Sequence, residues 1–313
     1  MLGVLNELKV SYKIIEITYN FFSFFPNFLI QLFSYNIHIN ESLKDIFNEP
    51  QPSLLIACGR RTAPISLKIH KIFNKKPFLV HLMLPRYTFF IKNFNIIFTP
   101  QHDSIKEKKN IIKILGTPNN MSYLSRNNSY AKIHRNSLNL TLLIGGDHSR
   151  YKLSVDIIKK ILKLIREKIK PKYLLQISTS RRTSKRVIEY LENHAKKDFL
   201  FIKRIYHPFE LNKKKNPMEH FLKSSSEVIV TGDSMSMISE VCSINKPIRL
   251  FYNSKFCSKK HILFCEKMIK EGYAFSIDTL GEKSRRIKTL NASKLIAKKI
   301  KFEFLNIYGR NLY

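Results

Sequence analysis

The sequence predicts an α/β fold of two Rossmann-like lobes, each built on a parallel sheet, with a cleft between them. Short apolar runs alternate with longer stretches of helical period from end to end, the pattern of parallel strands covered by helices. The chain has 313 residues, 44% of them apolar, which suffices for two separately packed cores. No internal repeat of about 20–50 residues is visible, which removes solenoids and propellers.

The expected strands are Lys13–Thr18, Ser53–Cys58, Pro77–Leu82, Asn95–Thr99, Leu138–Ile144, Tyr173–Ser178, Phe199–Ile205, Glu227–Thr231 and Pro247–Phe251. Most are continuous apolar runs, as expected of strands buried on both faces. Asn119–Asn136 is rich in Asn and Ser and poor in aliphatics, so it reads as a linker. It divides the chain into lobes 1–136 and 137–313.

Lys and Arg number 55 against 23 Asp and Glu, a formal net charge of +32, which favours an anionic partner. Part of that excess reflects a composition rich in Lys, Ile and Asn. Residues 1–50 carry three Lys, no Arg and five acids, so the basic character lies downstream. The charge is not gathered into long blocks and lacks basic–aromatic interleaving, which argues against nucleic acid as a partner. The four cysteines, Cys58, Cys242, Cys257 and Cys265, form no C-x-x-C pair, so neither a zinc site nor a dithiol motif is expected. No signal peptide is evident. The apolar segment Phe21–Phe33 contains Pro26 and Gln31 and falls short of the ~20 residues a spanning helix needs. It suits either core packing or docking on a membrane face.

Three loops in the second half carry candidate chemistry. Leu142–Ile144 runs into Gly145 and Gly146, where bare backbone suits a phosphate or an ordinary tight turn equally. The next strand ends in Ser180, Arg181, Arg182 and Thr183. Two cations against the positive end of a helix are unfavourable unless an anion joins them, which points to a diphosphate; the simpler alternative is a helix N-cap with two solvated arginines. The third loop, Thr231-Gly232-Asp233-Ser234-Met235-Ser236, leads to Glu240 two turns along a helix; hydroxyls and carboxylate together suit phosphate oxygens and a ribose diol. The simpler alternative is a capped helix with an outward Glu. In the first half, Gly59, Arg60, Arg61 and Thr62 repeat the strand, turn and Arg-Arg-Thr layout as a candidate acceptor or anion site. His102 and Asp103 follow another strand as a candidate acid–base pair, or as an ordinary turn.

These segments, ACGRRTAPISL (57–67), TPQHD (99–103), LLIGGDHSRY (142–151), ISTSRRT (177–183) and TGDSMSMISEVCSINKPI (231–248), resemble the plant Elongated Mitochondria fission family and its bacterial relatives. The resemblance implies a GT-B glycosyltransferase fold, with an acceptor-side lobe at 1–136 and a nucleotide-sugar lobe at 137–313. By position it implies that Ser234 and Ser236 meet the diphosphate and Glu240 the ribose. Family members usually begin with a strand and glycine loop that this sequence lacks. The implied activity is metal-independent transfer of a sugar from a nucleotide-diphosphate donor to an envelope or lipid-linked acceptor, at the inner face of the cytoplasmic membrane. No D-x-D triad stands in the donor loops, and no cofactor is implied. The competing expectation is a non-catalytic adaptor that binds an anionic membrane surface or recruits a partner protein.

Overall fold

The computed structural model describes residues 1–27, 29–30, 36–40, 50–59, 61–85, 91–103, 105, 108–127, 139–170, 173–208, 217–282 and 287–312. The chain forms two compact units: Met1–Asn120 together with Ala292–Tyr313, and Met121–Asn291. The division therefore falls at 120/121, where 136/137 was expected, and the last residues return to the first unit. Within Asn119–Asn136, residues Met121–Asn127 are helical and 128–136 lie outside the described residues.

The first unit carries a four-stranded parallel sheet in sequence order: β1 Leu54–Cys58, β2 Phe78–Leu82, β3 Ile96–Pro100 and β4 Ile111–Ile114. Register runs Ile56↔Val80, Val80↔Ile96 and Ile97↔Ile111. One face is covered by the first helix, α1 Leu2–Leu8, and the last, Ala292–Tyr308. Val4, Leu5 and Leu8 pack with Ile296, Ile300 and Phe304 over Phe78, Val80 and Phe98. The approach is close at Gly3, where a Cβ would stand 1.9 Å from the Asn119 carbonyl oxygen. Ser293 Oγ donates to that carbonyl at 2.7 Å, tying the final helix to the end of the unit.

The second unit carries six parallel strands: β5 Asn139–Ile144, β6 Leu174–Thr179, β7 Ile202–Tyr206, β8 Glu227–Thr231, β9 Ile248–Phe251 and β10 Phe275–Ser276. Their order in the sheet is β10-β9-β8-β5-β6-β7. The chain builds outward from β5 in one direction, then returns to β8 and builds outward in the other. This puts a topological switch point between β5 and β8, outside whose carboxyl ends open α/β sheets hold ligands. The helix Val155–Lys168, capped by Ser154 Oγ, buries Ile158, Ile161, Leu162 and Ile165 in this unit's core. Arg249 is buried and paired with Glu227, donates to Thr279 and stacks 4.8 Å from the Phe275 ring centre. That side chain holds the short edge strand β10 in place.

Three expectations need correction. Lys13–Thr18 is not a strand: Ile14 and Ile15 are exposed, and the nearest pairing is an isolated bridge, Tyr19↔Ile39. An apolar run without a neighbouring ladder leaves its backbone to water. Phe199–Phe201 forms a turn before β7, closed by Ile202 N–H to Phe199 O, so that strand starts later than expected. Finally, β4 and β10 were not anticipated; both are short edge strands with little sequence signal. Among the described residues, no helix is long and apolar enough to cross a membrane.

Candidate functional site

The loops after β5, β6 and β8 meet at the switch point. Gly145 N–H donates to Thr231 Oγ1 at 2.8 Å, and Gly146 N–H to Asp233 Oδ2 at 2.6 Å. The Gly145 carbonyl accepts from Ser180 Oγ at 2.8 Å and from the Thr183 hydroxyl. Asp147 N–H donates to the Arg182 carbonyl at 3.0 Å. A Cβ on Gly145 would lie 2.0 Å from Asp233 Oδ2, and one on Gly146 would lie 2.2 Å from the Arg182 carbonyl carbon. Both glycines are thus demanded by packing between loops. Their N–H groups, for which a phosphate site and an ordinary tight turn were equal expectations, are engaged by Thr231 and Asp233.

Arg182 leans across this joint. Nη1 donates to the Asp147 carbonyl at 3.2 Å, and Nη2 lies 3.5 Å from the Asp233 carbonyl and 3.7 Å from its Oδ2. Its side chain is 40% exposed while that of Asp233 is 1% exposed. A guanidinium carries five N–H donors, so the exposed face keeps donors for an anion. Burial pushes the Asp233 carboxyl above its ordinary range; Thr231, the Gly146 N–H and the Arg182 charge pull the other way. Its Oδ1 is buried with no hydrogen-bond partner.

Arg181 is exposed and borders a cleft of about 350 Å³ lined also by Thr183, Lys185, Ile188, Glu189 and His207. His207 Nδ1 is buried there without a hydrogen-bond partner. Ser234 precedes the helix Met235–Val241 but its side chain does not cap it, and Ser236 is exposed. Glu240, on the last turn, is half-buried with its carboxyl raised by burial alone. Sequence reasoning passed over Asp233 and Thr231, although both lie in the quoted loop. The available signal was that a glycine pair ending one strand requires an acceptor on its neighbour.

In the first unit, Gly59 adopts φ +99°, and the Thr62 hydroxyl donates to its carbonyl at 2.8 Å, closing the turn after β1. Arg61 Nη1 donates to the Phe25 carbonyl and to Asn27 Oδ1 at 3.2 Å, so its guanidinium is tied to the segment 25–27. Arg60 lies outside the described residues. Asp103 accepts from Thr99 Oγ1 at 3.0 Å and donates its N–H to the Pro100 carbonyl at 2.9 Å, making 100–103 a turn. His102 sits in that turn. A residue not anticipated is His81, fully buried at the end of β2. Its Nδ1 lies 2.6 Å from the Met83 carbonyl and its Nε2 3.4 Å from the Thr62 hydroxyl. Burial lowers its pKa to about 4, so the ring is neutral at pH 7.

Among known proteins, the family described as Mitochondrial fission ELM1 matches residues 1–304. An uncharacterized protein of Rickettsia prowazekii (strain Madrid E), RP120, is 31% identical over 95% of this chain and 92% of its own length. The mitochondrial fission protein ELM1 of Arabidopsis thaliana is 22% identical, covering 66% of this chain and 52% of that protein. Among solved structures, the UDP-GlcNAc 2-epimerase of Methanocaldococcus jannaschii is similar with a TM-score of 0.52 at 15% identity, covering 83% of this chain and 80% of that one. The likeness is one of fold, and the fold is of GT-B type.

The joint makes a stability prediction. Gly146→Ala would drive a Cβ into the Arg182 and Thr183 backbone, at 2.2 and 2.4 Å, and should destabilise the second unit by at least ~1–3 kcal/mol. Gly59→Ala meets open space and carries only its left-handed backbone strain, about 1 kcal/mol. Denaturant unfolding of both variants should show the larger loss at Gly146; equal losses would contradict the packing.

Proposed function

Because this chain belongs to the mitochondrial fission ELM1 family over residues 1–304 and has a GT-B fold, we propose that it is a glycosyltransferase. In this reading it moves a sugar from a nucleotide diphosphate to an envelope or lipid-linked acceptor. The observation that carries the proposal is the meeting of three loops at the switch point, where Arg182 keeps exposed donors. Arg181 and Arg182 would neutralise the leaving diphosphate, Ser234 and Ser236 would add hydroxyl donors, and Glu240 would accept from both ribose hydroxyls. His102 would take the proton from the acceptor hydroxyl, with Asp103 holding its turn. The fold relative named above is a UDP-GlcNAc enzyme, which makes uridine diphosphate a rational first probe.

A second reading is favoured by one specific observation. Asn20 Oδ1 accepts from Phe22 N–H at 3.0 Å and fixes a turn that leaves Phe21 74% and Phe24 79% exposed. Two neighbouring phenyl rings in water are costly, and inserting each into an interface recovers about 1.5–3 kcal/mol. Residues 1–50 are themselves slightly acidic, so an anionic bilayer matches through the basic residues downstream that give the net charge of +32, for an adaptor or for an enzyme with a lipid-linked acceptor.

Glu240 gives the first test. Burial raises its folded pKa above the unfolded value, so its contribution to stability is present below the unfolded pKa, about 4.3, and is lost as pH rises through the folded one. Glu240→Gln should therefore raise the melting temperature at pH 7 and lose that advantage near pH 4. In calorimetry, Glu240→Ala should weaken uridine diphosphate binding at least ~tenfold, and Glu240→Gln less. Unchanged affinity with a lowered melting temperature would mean that the carboxylate is structural. For the second reading, the protein should bind phosphatidylserine vesicles, weaken with added salt, and weaken further with Phe21→Ser and Phe24→Ser. Equal binding to neutral vesicles, or no binding at low salt, would rule it out.

A further inference from the structure

Asp233 is the charged side chain most deeply placed at the switch point. It reaches both neighbouring loops: Oδ2 accepts from Gly146 N–H at 2.6 Å, and the same oxygen lies 3.7 Å from Arg182 Nη2. The Asp233 carbonyl and the Asp147 carbonyl take the two Nη groups at 3.5 and 3.2 Å. These three acceptors lie within 3.7 Å of the Nη groups, while the Arg182 side chain stays 40% exposed. Arginine side chains carry large rotamer entropy, about 2 kcal/mol, so a guanidinium held before the ligand arrives binds more tightly than a free one.

We propose that Asp233 is a positioning residue: its buried carboxylate orients the Arg182 guanidinium toward the anion and locks the Gly146 turn beneath it. This rests on the reading of Arg182 as a ligand for the donor diphosphate, and it adds a residue that does not itself touch the donor. A carboxylate would repel a diphosphate if both were exposed. Asp233 is 1% exposed with the Arg182 guanidinium 3.7 Å from its Oδ2, so its charge acts through Arg182. The groups facing Asp233 are Arg182, the Thr231 hydroxyl, the Gly146 N–H and the thiols of Cys257 and Cys265. Burial holds both thiols above their ordinary range, Cys257 at about 12, so Arg182 is the ionised partner near neutral pH.

The closing experiment separates this inference from the proposed function. Asp233→Asn keeps an acceptor for the Gly146 N–H and removes the charge. Two quantities are read in the wild type, Asp233→Asn, Arg182→Ala and the double variant: the Arg182 Nε–Hε resonance without ligand, and the affinities for uridine diphosphate and uridine. Positioning predicts a shifted or broadened Arg182 resonance in Asp233→Asn and a loss of about tenfold for the diphosphate. Uridine affinity should hold, and adding Asp233→Asn to Arg182→Ala should cost nothing further. If the wild type binds no nucleotide but the resonance still changes, the donor reading fails and the positioning stands. An unchanged resonance, or an equal loss with and without Arg182, overturns the inference. Should Asp233→Asn not fold, Arg182→Gln reads the same contact from the exposed side. Removing the guanidinium should raise the Asp233 pKa, followed by its carboxyl carbon shift, and an unmoved pKa overturns the proposal.

Discussion

The rest of the second unit's candidate site depends on the contact between two bare glycine backbones and the loops of the adjoining strands. Gly145 and Gly146 end β5 with no side chains, and the space a Cβ would fill is occupied by the Asp233 carboxylate and the Arg182 backbone. Close approach lets the N–H groups of β5's loop reach acceptors on β8's loop, while the Gly145 carbonyl takes hydroxyls from β6's loop. Three loops that would otherwise move separately become one rigid floor at the switch point. Catalytic or binding side chains mounted on such a floor hold their geometry without ordering cost at the moment of binding.

The strand order places the floor. A parallel sheet that grows outward from β5 and again from β8 leaves adjacent carboxyl ends whose loops diverge to opposite faces. Burial on both faces makes the central strands mostly apolar: Leu140, Leu142, Ile144, Val228 and Val230 are all 2% exposed or less. At the loop edge, Thr231 and Asp233 accept the two glycine N–H groups while Ser180 and Thr183 donate to the Gly145 carbonyl. What remains outward is Arg181, half of Arg182, Ser236 and part of Glu240, a set with donors for phosphate and one acceptor for hydroxyls.

Much of this was legible in the sequence, because a buried parallel strand announces itself as a short continuous apolar run. The run Glu227–Thr231 matched its strand at both ends, since Ser226 and Gly232 punctuate it. The same signal misled at Lys13–Thr18, because periodicity cannot report whether a partner strand is alongside. The returning helix Ala292–Tyr308 was not legible as part of the first unit: its ties, such as Ser293 to Asn119, span 174 residues. At the site, the three loops were legible as motifs, but their mutual hydrogen bonds were not. Asp233 looked like one more turn residue. Its burial emerges only when β5 and β8 are known to be neighbours, and so does the occupation of the two glycine N–H groups.

The central claim is that these three loops form one ligand floor. Hydrogen exchange with and without uridine diphosphate tests it most directly, because local opening is read loop by loop. Ligand should slow exchange together in 145–149, 180–185 and 232–241, with little change in the sheet behind them. Protection confined to one loop, or none in any of them at millimolar nucleotide, would contradict the account.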